Sequence, residues 1–154
     1  MKVTICSRES IQERIANNSL QNSAVISFSD PKGGRRGEDY APVDFGESCP
    51  RVFFVCVYDL DPDALPHFGY TMESYFSEAS DVAEFIGQAV EDDVELICQC
   101  EYGQSRSAGL AAAILEYYEK RGIDVFRDYR YYPNQLIFNK AYEALGRYHR
   151  RGEK

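Results

Sequence analysis

The chain has 154 residues, five cysteines, no tryptophan and a formal net charge of −8 at pH 7. That length suits one domain, 1–154, with a single core, and a hydrophobic content of 44% leaves no tract that reads as disordered. So negative a charge argues against a nucleic acid or an anionic membrane as the main partner, because phosphate-rich surfaces reward a basic face.

In chain order, short apolar runs at 2–6, 24–28, 51–58 and 94–99 read as strands bounded by Ser, Asp, Gly or Pro. Helical patterns occupy 8–17, 77–91, 107–121 with Gly122 as the stop, a short turn from Asp124, and 134–150 with Asn134 as cap. Strands alternating with helices predict an α/β architecture, a mostly parallel central sheet of about four or five strands flanked by helices on both faces. The longest apolar runs, 52–58 and 110–115, fall short of a membrane span, and the first five residues are too short for a signal peptide. A cytoplasmic location is the expectation, and an odd cysteine count without framework spacing suits a reducing compartment. Cys98 and Cys100 lie two apart, with only His67 and His149 elsewhere, so neither a metal nor a cofactor is expected. The basic run Lys32-Gly33-Gly34-Arg35-Arg36-Gly37 reads first as a solvated connector and second as a lure for an acidic phosphopeptide. Seven of the twelve tyrosines crowd the last third, where they suit packing on helix faces.

Between the strand ending at Gln99 and an alanine-rich helix lies Cys100-Glu101-Tyr102-Gly103-Gln104-Ser105-Arg106-Ser107. A cysteine and an arginine at that spacing arise by chance about 0.4 times in this composition, and requiring the Gly and the following Ser lowers the figure to about 0.002. A connection this short must curl, and a curled backbone turns successive N–H groups toward one anion. Gly103, without a Cβ, permits the tight part of that curl. The helix start favours a dianion at the loop centre, while the Arg106 guanidinium grips two of its oxygens in a fork. Glu101, Tyr102, Gly103, Gln104, Ser105 and Arg106 are therefore the candidate phosphate-binding residues. A thiol beside a helix N-terminus and an arginine ionises more readily than free cysteine, which makes Cys100 the candidate nucleophile. Ser107 is placed to donate its hydroxyl to the sulfur and ease its departure. In open α/β sheets ligands bind beyond the carboxyl ends of the strands, which is where Cys100 falls.

The octapeptide resembles the signature of the cysteine-dependent protein tyrosine phosphatases, a Cys, five residues and an Arg followed by Ser or Thr, and most closely the small dual-specificity type. The likeness extends from about residue 51 onward. Tyr75-Phe76-Ser77-Glu78-Ala79 and Glu84-Phe85-Ile86 are similar to the helix before that family's catalytic strand, and Pro133-Asn134-Gln135 to its C-terminal helical end. A short phosphatase-like domain of bacterial or phage type fits the whole. The resemblance implies removal of phosphate from phosphotyrosine in proteins, with phosphoserine and phosphothreonine left open, through a cysteinyl-phosphate intermediate and without a cofactor. The implied partner is a phosphorylated protein or peptide, and phosphate, sulfate or vanadate are the anions expected in the pocket.

The same resemblance implies an aspartic acid on a loop well before the cysteine, to protonate the leaving oxygen. Asp59, Asp61 and Asp63 are the candidates, and aligning the Tyr75-Phe76 segment ranks Asp59 first and Asp61 second. Asp61-Pro62 is also an ordinary turn initiator. Two departures stand out. Gln99 occupies the place usually held by His, and an amide hydrogen-bonds but carries no charge. The absence of tryptophan excludes the Trp-Pro-Asp acid loop of the larger tyrosine-specific enzymes. The competing function is a pseudophosphatase that holds phosphorylated partners without turnover. Phosphoinositides suit the loop less well, since it carries Glu101 and no lysine.

Overall fold

Strand β2 (Ser23–Ser29) is buried along its whole length because it lies inside the sheet and sends alternate side chains into two cores. The computed structural model describes residues 1–31 and 40–152; the basic run at 32–37 lies outside them. With β1 (Val3–Cys6), β3 (Arg51–Cys56) and β4 (Glu95–Gln99), β2 forms a four-stranded sheet in the order β1-β4-β2-β3. Every neighbouring pair is parallel, with Ile5 and Ile26 both facing Cys98 in register.

Ala24, Ile26, Phe28, Leu96 and Cys98 face a core closed by α2 (Ala79–Glu91), α3 (Arg106–Glu119) and α5 (Gln135–Gly152). Val25 and Ile97 face the other side and pack with Ile11 of α1 (Arg8–Ala16), Leu20 and the segment carrying Val43, Phe45 and Cys49. The expected helix-covered parallel sheet is thus present, with the second face covered partly by α1 and partly by irregular chain. The alanines at 108 and 111–113 are fully buried in α3, and their small side chains let that helix lie close to both the sheet and α5. No helix among the described residues is long and apolar enough to cross a membrane.

Several boundaries differ from the sequence expectation by one or two residues, and three differences have a clear local cause. The helix expected from 77 starts at Ala79, because Phe76 takes a left-handed φ of 53° that no helix continues through. The helix expected to run to 121 ends at Glu119, where Lys120 adopts φ 58° and its N–H bonds Glu116 O; Gly122 instead leads into α4 (Ile123–Phe126). The turn foreseen at Asp61-Pro62 opens a 3₁₀ helix, Pro62–Phe68, capped by Asp61.

At the amino-terminal edge of the sheet one carboxylate gathers four elements. Glu95 accepts from Thr4 Oγ1 at 2.6 Å, from Arg14 Nη1 and Nη2 at 3.1 and 2.8 Å, and from Ser23 Oγ at 3.2 Å. Burial alone acts to raise its pKa, but the Arg14 and Thr4 hydrogen bonds outweigh it and hold the carboxyl at about 2, against an ordinary 4.5. A depressed carboxylate contributes stability that is complete above the unfolded value and is lost as pH falls through the folded one. Glu95→Gln is therefore expected to lower stability by about 1–2 kcal/mol at pH 7, or about 3–6 °C in melting temperature. The gap from the unaltered protein should close as pH falls from about 4.5 to 2, as read by urea unfolding at a series of pH values.

Candidate active site

The loop from Cys100 to Arg106 spans the carboxyl end of β4 and the amino end of α3. Four of its carbonyls are taken up by donors outside it. Cys100 O accepts from Gln99 Nε2 at 2.9 Å, Glu101 O from the Arg8 amide at 3.0 Å, and Gln104 O from the Tyr132 amide at 2.8 Å. Ser105 O accepts from the Asn134 and Gly109 amides at 3.0 and 2.8 Å. In a planar trans peptide the C=O and the following N–H point in opposite directions, so the amides of Glu101, Tyr102, Ser105 and Arg106 turn toward the loop's interior. Gly103 has φ 66°, and a Cβ on it would sit 2.8 Å from the Ser7 amide nitrogen, against the β1–α1 junction. Such a ring of inward amides at a helix start is a nest for an oxyanion.

Two side chains complete the nest. Cys100 is 3% exposed, and its Sγ lies 3.0 Å from Ser107 Oγ. Arg106 is 4% exposed, and its Nη1 donates to Asp30 Oδ1 at 2.7 Å and to Val57 O at 2.6 Å. The two cysteines of the strand end differ in setting. Burial pushes the Cys98 thiol up, which keeps it protonated and confines it to packing, whereas Cys100 sits at the nest.

Asp59 reaches the loop from the chain that follows β3. Its Oδ1 accepts from Ser105 Oγ at 2.6 Å and from Asn134 Nδ2 at 2.9 Å. Asn134 also donates to Leu60 O at 3.0 Å, while its Oδ1 caps α5 by accepting from the Ile137 amide at 2.8 Å. Gly109 lets this junction close, since a Cβ there would meet Asn134 O at 2.4 Å. Beneath it, the Tyr75 hydroxyl donates to Tyr58 O at 2.6 Å; burial pushes this phenol up to about 12, so it stays a donor at neutral pH. Asp61 is spent on the cap of the 3₁₀ helix, accepting from the Ala64 amide at 3.0 Å, and Asp63 lies exposed in that helix's first turn.

A cavity of about 360 Å³ opens beside the nest, walled by residues 59–62 on one side and 132–135 on the other, with Ser105 between them. Among the described residues no group of three or more His, Cys, Asp or Glu converges on a metal position. The structure therefore brings Cys100, Ser105, Arg106, Ser107 and Asp59 together, and leaves the Tyr102 and Gln104 side chains exposed. Glu101 turns its carboxylate to Arg8 Nε at 2.9 Å, so only its main chain faces the nest. Asp30, Arg8 and Tyr132 are site residues that sequence patterns did not pick out, and Asn134 was legible as a helix cap within the Pro133-Asn134-Gln135 likeness but not as a partner of Asp59. Asp30 had one available signal, its place directly after the strand that neighbours β4.

The chain is similar in structure to several solved phosphatases. Human DUSP28 aligns over 97% of this chain and 94% of its own, with 16% identity and a TM-score of 0.52. PTPMT1 in complex with PI(5)P aligns over 98% and 94%, with 9% identity and a TM-score of 0.58. Tk-PTP in its active form aligns over 96% and 93%, with 13% identity and a TM-score of 0.58. No family model matches the sequence, and no curated protein does. The fold is that of the dual-specificity-like cysteine phosphatases.

Gly103→Ala places a side chain at a left-handed φ and against backbone. It is expected to cost about 1–3 kcal/mol in urea unfolding. Binding of inorganic phosphate, followed by calorimetry, should weaken with it.

Proposed function

We propose that the protein is a phosphomonoesterase that removes phosphate from phosphotyrosine in proteins through a cysteinyl-phosphate intermediate. The observation that carries this is the Cys100 Sγ held 3.0 Å from Ser107 Oγ at a loop whose amides turn inward and whose Arg106 is buried and anchored. In the first step the Cys100 thiolate forms a bond to phosphorus as the phosphorus–oxygen bond to the leaving group breaks. Arg106 and the loop amides carry the charge on the three equatorial oxygens. Asp59, held at the loop by Ser105 and Asn134, gives its proton to the departing oxygen. In the second step water attacks the cysteinyl phosphate and passes a proton to Asp59. The thiolate leaves with a hydrogen bond from Ser107, and inorganic phosphate is released.

The described cavity wall bears Asp59 and Asp61 and no cationic side chain, which favours a protein substrate over a polyanionic headgroup. PTPMT1 was solved with PI(5)P, so phosphoinositides stand as the second class. Phosphoserine and phosphothreonine are further candidates for the same nest. An odd cysteine count without framework spacing supports a reducing, cytoplasmic setting. The competing function is phosphoprotein binding without turnover, which the replacement of histidine by Gln99 motivates.

Hydrolysis of p-nitrophenyl phosphate and of a phosphotyrosine peptide between pH 5 and 8 tests the proposal. Cys100→Ser should abolish both activities. Asp59→Asn should slow the peptide by about 10²-fold or more and p-nitrophenyl phosphate by less, because nitrophenolate departs with little help from an acid. Peptide binding by the unaltered protein with no hydrolysis of either substrate would favour the binding function instead.

A further inference from the structure

We propose that Asp30 is the positioning residue for Arg106, fixing which edge of the guanidinium meets the phosphate. The inference rests on the phosphatase reading above and names a group outside the motif on which that chemistry depends.

The hydrogen bonds of the Arg106 side chain to Asp30 and to Val57 leave from one nitrogen. Nη1 donates to Asp30 Oδ1 and to Val57 O, from the ends of two neighbouring strands. A guanidinium held at Nη1 from two directions cannot rotate in its own plane. Its opposite edge, with Nε–H and Nη2–H side by side, is the one that makes a two-pronged contact with an oxyanion. Val57 O alone leaves the plane free to swing about a single bond; the second anchor removes that freedom before substrate arrives. The pair is also nearly dry, with side-chain exposures of 5% and 10%, so the ionic bond is little screened by solvent.

The position of Asp30 is itself braced. Its amide donates to the Tyr40 hydroxyl at 3.1 Å, and the Tyr40 ring lies under the Arg8 guanidinium at 5.2 Å. Arg8 in turn pairs with Glu101 of the phosphate loop and donates to Ala41 O at 2.6 Å. A chain of contacts therefore runs from one end of the loop, Glu101, through Arg8, Tyr40 and Asp30 to the other end, Arg106. The carboxylate that orients the arginine is carried by a frame tied to the same loop.

The test compares the unaltered protein with Asp30→Ala and Asp30→Asn, using kcat and KM on p-nitrophenyl phosphate and calorimetric binding of orthovanadate. Asp30→Ala is expected to lower kcat and vanadate affinity about tenfold or more each, while the folded fraction stays high. Asp30→Asn keeps an oxygen acceptor opposite Nη1 and should recover both to within about threefold. A merely structural role would lower the melting temperature and leave kcat per folded molecule unchanged. A folded Asp30→Ala that binds vanadate and turns over within about twofold of the unaltered protein overturns the proposal. Should Asp30→Ala not fold, Asp30→Ser, too short to reach Nη1, takes its place with the same expectations. If the unaltered protein binds vanadate but hydrolyses nothing, the phosphatase reading fails while the vanadate comparison still decides the role of Asp30. If it binds no vanadate at all, both fall.

Discussion

Everything at the site depends on one constraint: four carbonyls of the loop between Gln99 and Arg106, those of Cys100, Glu101, Gln104 and Ser105, are satisfied from outside. A peptide segment gains nothing locally from turning several N–H dipoles toward one point, where like partial charges repel. Here the opposite ends of those peptide units are held by the Arg8 and Tyr132 amides, the Asn134 amide and the Gln99 side chain. Each donor sits where the fold puts it. Arg8 opens a helix capped by Ser7, whose Oγ accepts from the Ser10 amide at 3.0 Å. Asn134 caps α5, the helix packed on both α2 and α3. The loop's conformation is thus fixed by elements distant in sequence.

The charge arrangement follows the same logic. The protein as a whole repels anions, with a net charge of −8, yet the nest concentrates amides, a helix start and Arg106. Glu101, a carboxylate within the loop itself, would oppose phosphate if it faced inward. It is turned outward and paired with Arg8, where it braces the loop instead. Asp30 plays the complementary part at the other end, offsetting part of the Arg106 charge while fixing its direction. The field at the loop therefore draws on oriented dipoles as well as on a full positive charge, and dipoles already in place need no reorganisation when charge develops beside them.

The four strands were legible to within a few residues because apolar alternation and turn residues are local properties. The loop that carries the candidate nucleophile could be picked out for a similar reason, since all its residues lie within eight positions. What was not legible is whatever depends on distant chain meeting. Asn134 is a cap by local pattern, and nothing in the pattern says that its side chain also bonds Asp59, 75 residues away. Asp30 looks like any turn aspartate before a proline until Arg106 is brought against it. Backbone exceptions were missed too. Phe76 and Lys120 adopt left-handed φ, a choice that side-chain identity does not announce, and both shifted helix ends.

Gln99 shows how a departure from a familiar pattern can preserve a mechanical role while removing a titration. Its Oε1 accepts a hydrogen bond from Ser27 Oγ, and its Nε2 donates to Cys100 O at 2.9 Å, so one side chain links β2, β4 and the start of the loop. A neutral histidine could also supply the one donor and one acceptor used here, but it gains a proton near pH 6.5 and then has only donors. Acid would break a histidine's acceptor bond to the serine; the glutamine amide keeps both bonds at every physiological pH. The residue is 1% exposed, where a charge would be costly and an amide with both ends bonded is not. Position 99 therefore holds the loop without contributing an ionisation to the site.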